Sequence, residues 1–204
     1  MGGFDPNTYP EKGPAEASFV QRRTRLLALA CAMALLPAGC GGSSGSTPPD
    51  YAKALRGAPA PLAQLYSQAN QLLPGGKAAF EKRLKRLRGY PVVVNIWASW
   101  CGGCLFEFPI LQKLSARFGT RVAFIGIDSQ DSDAAATTWL REAPVPYPSY
   151  TDPNHELAQS FGAIGLPGTA FLDRSGKLVW LKQGNYRDEK ELEAEIKRYA
   201  LDAS

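Results

Sequence analysis

Two cysteines, Cys101 and Cys104, stand two residues apart in the stretch WASWCGGC, residues 97–104. A pair at this spacing can close into a disulfide, open to a dithiol, and hand the bond to another molecule. One thiolate attacks the target sulfur, and the second thiol resolves the mixed disulfide that results. The flanking sequence says where each sulfur sits. Before the pair, PVVVNIWA is short, β-branched and nearly all apolar, as a central strand buried on both faces should be. After it, Phe106, Ile110, Leu114 and Phe118 recur at helical spacing, and Gly119 can end the helix. Cys101 therefore falls at a helix N-terminus, where unpaired N–H groups and the helix dipole stabilise a thiolate and lower its pKa. Cys104 falls one turn along, within reach of Cys101. Pro109 lies inside the same helix and is expected to kink it, because proline removes a backbone bond.

Other elements must position this strand–pair–helix unit. LAQLYSQANQLL, ending at Leu73, has helical apolar spacing and is broken by Pro74-Gly75-Gly76. KAAFEKRLKRLRG predicts a second helix, with Phe80, Leu84 and Leu87 on one face and Gly89 as C-cap. Its Lys82, Arg83, Lys85, Arg86 and Arg88 read as a solvated face, with tethering to an anionic membrane as the alternative. RVAFIGID is a second buried strand, and SDAAATTWLREA a helix capped by Ser132 or Asp133. PVPYPS reads as a loop and NHELAQSFG as a short surface helix. GTAFLDRSGKLVWL reads as a hairpin turning at Arg174-Ser175-Gly176, and a last helix starts at the capping box Asp188–Glu191. A βαβ unit followed by a ββ hairpin predicts an α/β fold: a four-stranded mixed sheet with helices on both faces and an N-terminal helical extension.

The first forty residues predict a separate fate. Arg22, Arg23 and Arg25 precede the short apolar run Leu26–Ala38, and GGSSGSTPPD follows Cys40. Basic, then apolar, then small residues describe an export signal, and the run is too short to span a bilayer. LPAGC, residues 36–40, resembles a bacterial lipoprotein signal, with Pro37 where leucine is usual. Lipid on Cys40 is expected, with an ordinary secretory signal as the alternative. The organisation is then signal over 1–40, flexible linker over 41–60, helical extension over 61–89 and catalytic domain over 90–204. Of the 4 cysteines, Cys31 lies in the signal and Cys40 would carry lipid. The mature domain keeps one pair, too few for a disulfide-stapled scaffold, which points to chemistry. A net charge of +4, spread along the chain, does not argue for nucleic acid.

Taken together, VVVNIWASWC, a helix kinked by proline five residues after the second cysteine, FEFP and the late GLPGTAFLD resemble thioredoxin-fold oxidoreductases. More narrowly they resemble the exported, membrane-tethered TlpA/ResA-type branch, over about residues 90–201. The resemblance implies Cys101 as nucleophile and Cys104 as resolving cysteine. It implies that Pro167 is a cis-proline facing the disulfide, and that Leu166 offers backbone groups to an extended client. Glu107 matches an acidic residue of the branch and would take the proton that Cys104 loses. Asn95 stands where thioredoxins proper carry a buried aspartate. Trp97 is read as core packing and Trp100 as the rim beside the disulfide, with Gly102 and Gly103 also facing the client. Two departures are Gly103, where proline is frequent, and Leu105, where a basic residue is frequent. The glycine should loosen the link between the cysteines. Leu105, with Phe106 and Phe108, would widen an apolar docking surface.

The expected activity is thiol-disulfide exchange at the outer face of a bacterial cytoplasmic membrane. It would reduce client disulfides, apocytochromes c among them, with a membrane thiol donor or acceptor as redox partner. The expected cofactor is none beyond the redox-active disulfide, and the expected state a lipid-anchored monomer, or a soluble periplasmic or secreted one. A disulfide-forming oxidant would look nearly the same, because direction depends on potential and partner. A copper-binding assembly factor or a non-catalytic binding lipoprotein is the further alternative. The lone His155, read as polar surface, and the CxxC spacing count against copper, and two thiolates with one distant histidine leave a zinc site short of ligands.

Overall fold

A computed structural model describes residues 47–202. The expected export signal, Cys31 and the expected lipidation position Cys40 lie outside the described residues. Among these residues no helix is long and apolar enough to cross a membrane.

The elements run α1 (Tyr51–Ala54), α2 (Ala60–Tyr66), β1 (Leu72–Leu73), α3 (Gly76–Arg86), β2 (Val92–Trp97) and α4 (Gly102–Phe118). There follow β3 (Ala123–Ser129), α5 (Asp133–Glu142), β4 (Ser149–Asp152), α6 (Glu156–Ser160), β5 (Gly168–Leu172), β6 (Leu178–Gln183), α7 (Glu189–Glu195) and a π-helical end, Ile196–Leu201. The sheet order is β1-β4-β3-β2-β5-β6. β2, β3, β4 and β1 run parallel, and β5 and β6 form the antiparallel hairpin. Every residue of β2 and β3 is buried, as their nearly continuous apolar runs predict.

The sheet has six strands rather than the four expected. β4 comes from the end of PVPYPS and the residues after it, read as loop because prolines 144, 146 and 148 mask a strand start. Its partner is distant in sequence: Gly126 of β3 lies opposite Ser149. β1 comes from the end of the stretch read as one helix. That helix stops at Tyr66, and Asn70 turns the chain with φ 60°. The Asn70 side chain donates to Leu140 O at 2.8 Å and accepts from Val145 N at 3.0 Å. A long-range clamp thus overrides local helical spacing, and Leu72 and Leu73 pair with Ser149 and Tyr150 instead.

The extension is tied to the domain. Tyr51 Oη donates to Pro144 O at 2.8 Å, and buried Tyr66 Oη donates to Val122 O at 2.9 Å. α1 forms inside the stretch read as linker, with Asp50 as its cap. α3 ends at Arg86, capped by Leu87, and Gly89 follows with φ 95°. Arg83 is not part of a solvated face: it is buried and donates to Tyr150 Oη at 3.0 Å.

Candidate active site

The strand-to-helix junction forms as its sequence predicts. β2 ends at Trp97, and Cys101 is the N-cap of α4, its Sγ accepting from Cys104 N at 3.2 Å. Cys101 and Cys104 form a disulfide with an S–S distance of 2.02 Å. Cys101 is 6% exposed and Cys104 is fully buried, so Cys101 is the more accessible of the pair. Pro109 lies within α4 on an exposed position, where the missing N–H leaves the helix unbroken.

Leu166–Pro167 is a cis peptide. It meets the glycines of the motif: a Cβ on Gly103 would lie 3.3 Å from Pro167 Cδ and 3.6 Å from Asn185 Oδ1. Gly103 is therefore hemmed on one side and not merely a loose link, whereas a Cβ on Gly102 would meet open space. The segment 184–186 joins the site at three points. Gly184 N donates to Pro167 O at 2.9 Å, Asn185 flanks Gly103, and Tyr186 N donates to Glu107 Oε2 at 3.1 Å. Sequence reasoning missed this segment, since GNYR has no periodicity and its partners at the site are 17 or more residues away.

Glu107 is fully buried on α4, one turn beyond Cys104. A solvated helix glutamate is thereby excluded. Asn95 Nδ2 donates to Glu107 Oε1 at 3.1 Å, completing a pair of donors with Tyr186 N. Burial outweighs these bonds and pushes the Glu107 carboxyl up to about 8. That brings its titration close to neutral pH, where a carboxyl can both give and take a proton.

The loop before Cys101 is held from β3's end. Asp131 Oδ2 accepts from Ser99 N at 2.5 Å, and Trp100 Nε1 donates to Gln130 O at 2.8 Å. Gln130 has φ 57°. Asp128, buried beneath, has its carboxyl pushed up to about 8 by burial first and then by Asp131. These contacts too were invisible to local patterns, which treated this stretch only as strand and cap. Trp97 is core, with its Nε1 donating to Ser149 Oγ at 3.1 Å, and Trp100 is 60% exposed on the rim. Phe106 and Ile164 are also exposed. Phe108 is not surface, as expected from its neighbours, but buried edge-on between Trp97 and Trp139.

His155 is not polar surface. It is buried, with φ 63°, and its Nδ1 lies 2.7 Å from Ser129 Oγ. Asp152 beside it accepts from Leu157 N and Ala158 N, so the group starts α6. A polar residue at a left-handed helix start can be buried this way when its ring is hydrogen-bonded.

A helix-capping disulfide beside a cis-proline, on a sheet with helices on both faces, defines a thioredoxin-like thiol-disulfide oxidoreductase. Residues 57–196 match the Redoxin family, to which the chain belongs. The thiol:disulfide interchange protein DsbE of Escherichia coli is 32% identical over 88% of this chain and 94% of its own length. DsbE of Pseudomonas fluorescens is 41% identical over 44% of this chain and 49% of that protein. The thiol-disulfide oxidoreductase ResA of Bacillus cereus is 28% identical over 56% of this chain and 66% of its own. Among solved structures, one described as a putative DsbE from Chlorobium tepidum aligns with a TM-score of 0.53 and 25% identity, over 57% of this chain and 84% of that one. The exposed lipoprotein thioredoxin Etrx1 of Streptococcus pneumoniae aligns at 0.51 and 25%, over 56% and 89%.

Proposed function

We propose that the chain is a membrane-tethered, extracytoplasmic reductant of protein disulfides, with apocytochromes c among its clients. One observation carries the site assignment: of the two cysteines at the head of α4, Cys101 alone keeps any exposure. Cys101, as thiolate, attacks the client disulfide. One client sulfur leaves as a thiolate, and a Cys101–client mixed disulfide forms. Cys104, deprotonated by Glu107, then attacks Cys101 Sγ, which expels the second client thiolate and closes the Cys101–Cys104 disulfide. The client leaves as a dithiol, two electrons richer. The redox partner that restores Cys101 and Cys104 is a membrane thiol carrier.

Leu166, half-buried before Pro167, pairs with the client's main chain, and Trp100 and Gly102 form the rim it crosses. The tether is lipid on Cys40. The motif LPAGC supports it, as does the likeness to a solved structure described as an exposed lipoprotein. No cofactor beyond the disulfide is needed for these steps.

The test is a pair of variants expressed in intact cells. Cys101→Ser should abolish exchange, and Cys104→Ser should accumulate mixed disulfides with clients that dissolve on reduction. A Cys104→Ser chain that captures no partner sinks the reading.

A further inference from the structure

We infer that the end of the domain opposite the disulfide is a binding surface for an anionic lipid bilayer, on which the domain stands with Cys101 directed away. The inference requires neither lipid on Cys40 nor a direction of electron flow.

The sheet defines two ends. Val92 at the start of β2 pairs with Ala123 at the start of β3 and with Leu172 at the end of β5, while Trp97 pairs with Asp128. Five residue steps separate these ends, about 17 Å, and the disulfide lies beyond the Trp97 end. Exposed cations gather at the Val92 end: Lys85, Arg86 and Arg88 where α3 finishes, Arg121 before β3, and Arg174 and Lys177 in the hairpin turn. Arg174 Nη1 donates to Gly89 O at 3.3 Å, which joins the turn to the end of α3.

None of these six cations is held in an ion pair among the described residues. The ion pairs among the described residues engage Lys113, Arg117, Lys182 and Lys197 instead. Asp173, the acid of the hairpin turn, accepts from Ser175 N, Ser175 Oγ and Lys177 N through Oδ1 and interacts with the Lys177 charge. At the other end stand Asp128, Asp131 and Asp133, with Arg187 and Lys190 as cations.

A second feature makes the basic end fit a bilayer and not only any polyanion. β6 starts there, and Leu178, Val179 and Trp180 are 37%, 38% and 42% exposed. Trp180 stacks on Tyr199 with ring centroids 5.2 Å apart. An aromatic pair with an apolar body and a polar edge suits the headgroup level, and lysine and arginine beside it attract anionic lipids.

The third observation is where the chain enters. α4 runs back from Cys101, so its C-terminal end lies at the basic end. α1 packs there: Leu55 Cδ2 occupies the space that a Cβ on Gly119 would need, at 2.5 Å. The first described helix thus joins the domain on the face that carries the cations.

The test uses the full chain on vesicles of phosphatidylglycerol and phosphatidylcholine with brominated acyl chains, read by tryptophan fluorescence. The wild type should be quenched. Trp180→Phe should lose that quenching, and Trp100→Phe should keep it. Lys85→Glu/Arg88→Glu/Lys177→Glu should also lose it, since each cation is worth about fivefold in partition, and added salt should reduce it in the wild type. These three side chains are exposed, so an unchanged melting curve separates loss of binding from loss of fold. Quenching that persists in Trp180→Phe, or that is equal on purely zwitterionic vesicles, or that survives the triple charge reversal, overturns the inference.

Discussion

At the residue scale, Glu107 carries the sharpest expectation. Its folded pKa, about 8, lies above its ordinary value of 4.5 because the carboxylate is buried. The folded state therefore holds the proton longer than the unfolded state does. Burial costs nothing below about pH 4.5, and the cost grows until it is complete above about pH 8. Glu107→Gln should remove it. The variant should be more stable than the wild type by a few kcal/mol above pH 8, and the gap should close towards pH 4.5. Urea melts across pH read this directly, and a gap independent of pH would show that the carboxyl is not buried neutral. The same variant cannot accept the Cys104 proton. Its resolving step should slow by about tenfold or more near neutral pH and should lose the rise with pH expected near 8. Stopped-flow release of a mixed disulfide measures that step.

At the element scale, the site depends on how closely strands and loops approach. Gly126 of β3 faces Ser149 of β4, and a Cβ there would lie 2.0 Å from Ser149 Oγ. That hydroxyl accepts from Trp97 Nε1, at the end of the strand that delivers Cys101. Gly126→Ala should destabilise the domain by about 3 kcal/mol, through overpacking against the Ser149 and Trp97 side chains. A denaturant midpoint equal to wild type would show that β4 yields. Asp131 ties the loop before Cys101 through Ser99 N. Asp131→Ala should cost about 1–2 kcal/mol and broaden the fluorescence of Trp100, while Asp131→Asn keeps an acceptor and should recover most of the loss.

At the scale of the whole molecule, the direction of exchange is set by the balance between the folded disulfide and the folded dithiol. Cys101 as thiolate gains the N-terminus of α4, as in any member of this class. Against that stand the acidic residues 131 and 133 at the same end, and Leu105 in place of a cation. Each of these disfavours the thiolate, and so the reduced state, which supports the proposed role of electron donor. The reduction potential should fall near about −250 mV or lower; a value near about −120 mV would make it a disulfide-forming oxidant. Equilibration in redox buffers, followed by Trp100 fluorescence, decides between them.

The chain by itself determined the pair, the strand before it and the helix after it. Apolar periodicity and helix-end chemistry are local, and local signals are written in consecutive residues. GLPGT pointed to the proline only through resemblance, because a cis bond has no pattern of its own. Tertiary structure alone decided the rest. β1 and β4 exist because distant strands and the Asn70 clamp override local spacing. Asn185, Tyr186 and Asp131 reach the site from loops, whose residues carry no period and are chosen by partners far along the chain. Burial decided the protonation of Glu107, which the sequence spelled only as a charge on a helix. The physical reason is one of range: hydrogen bonds within a turn can be read from neighbours, but desolvation depends on everything that packs around a group.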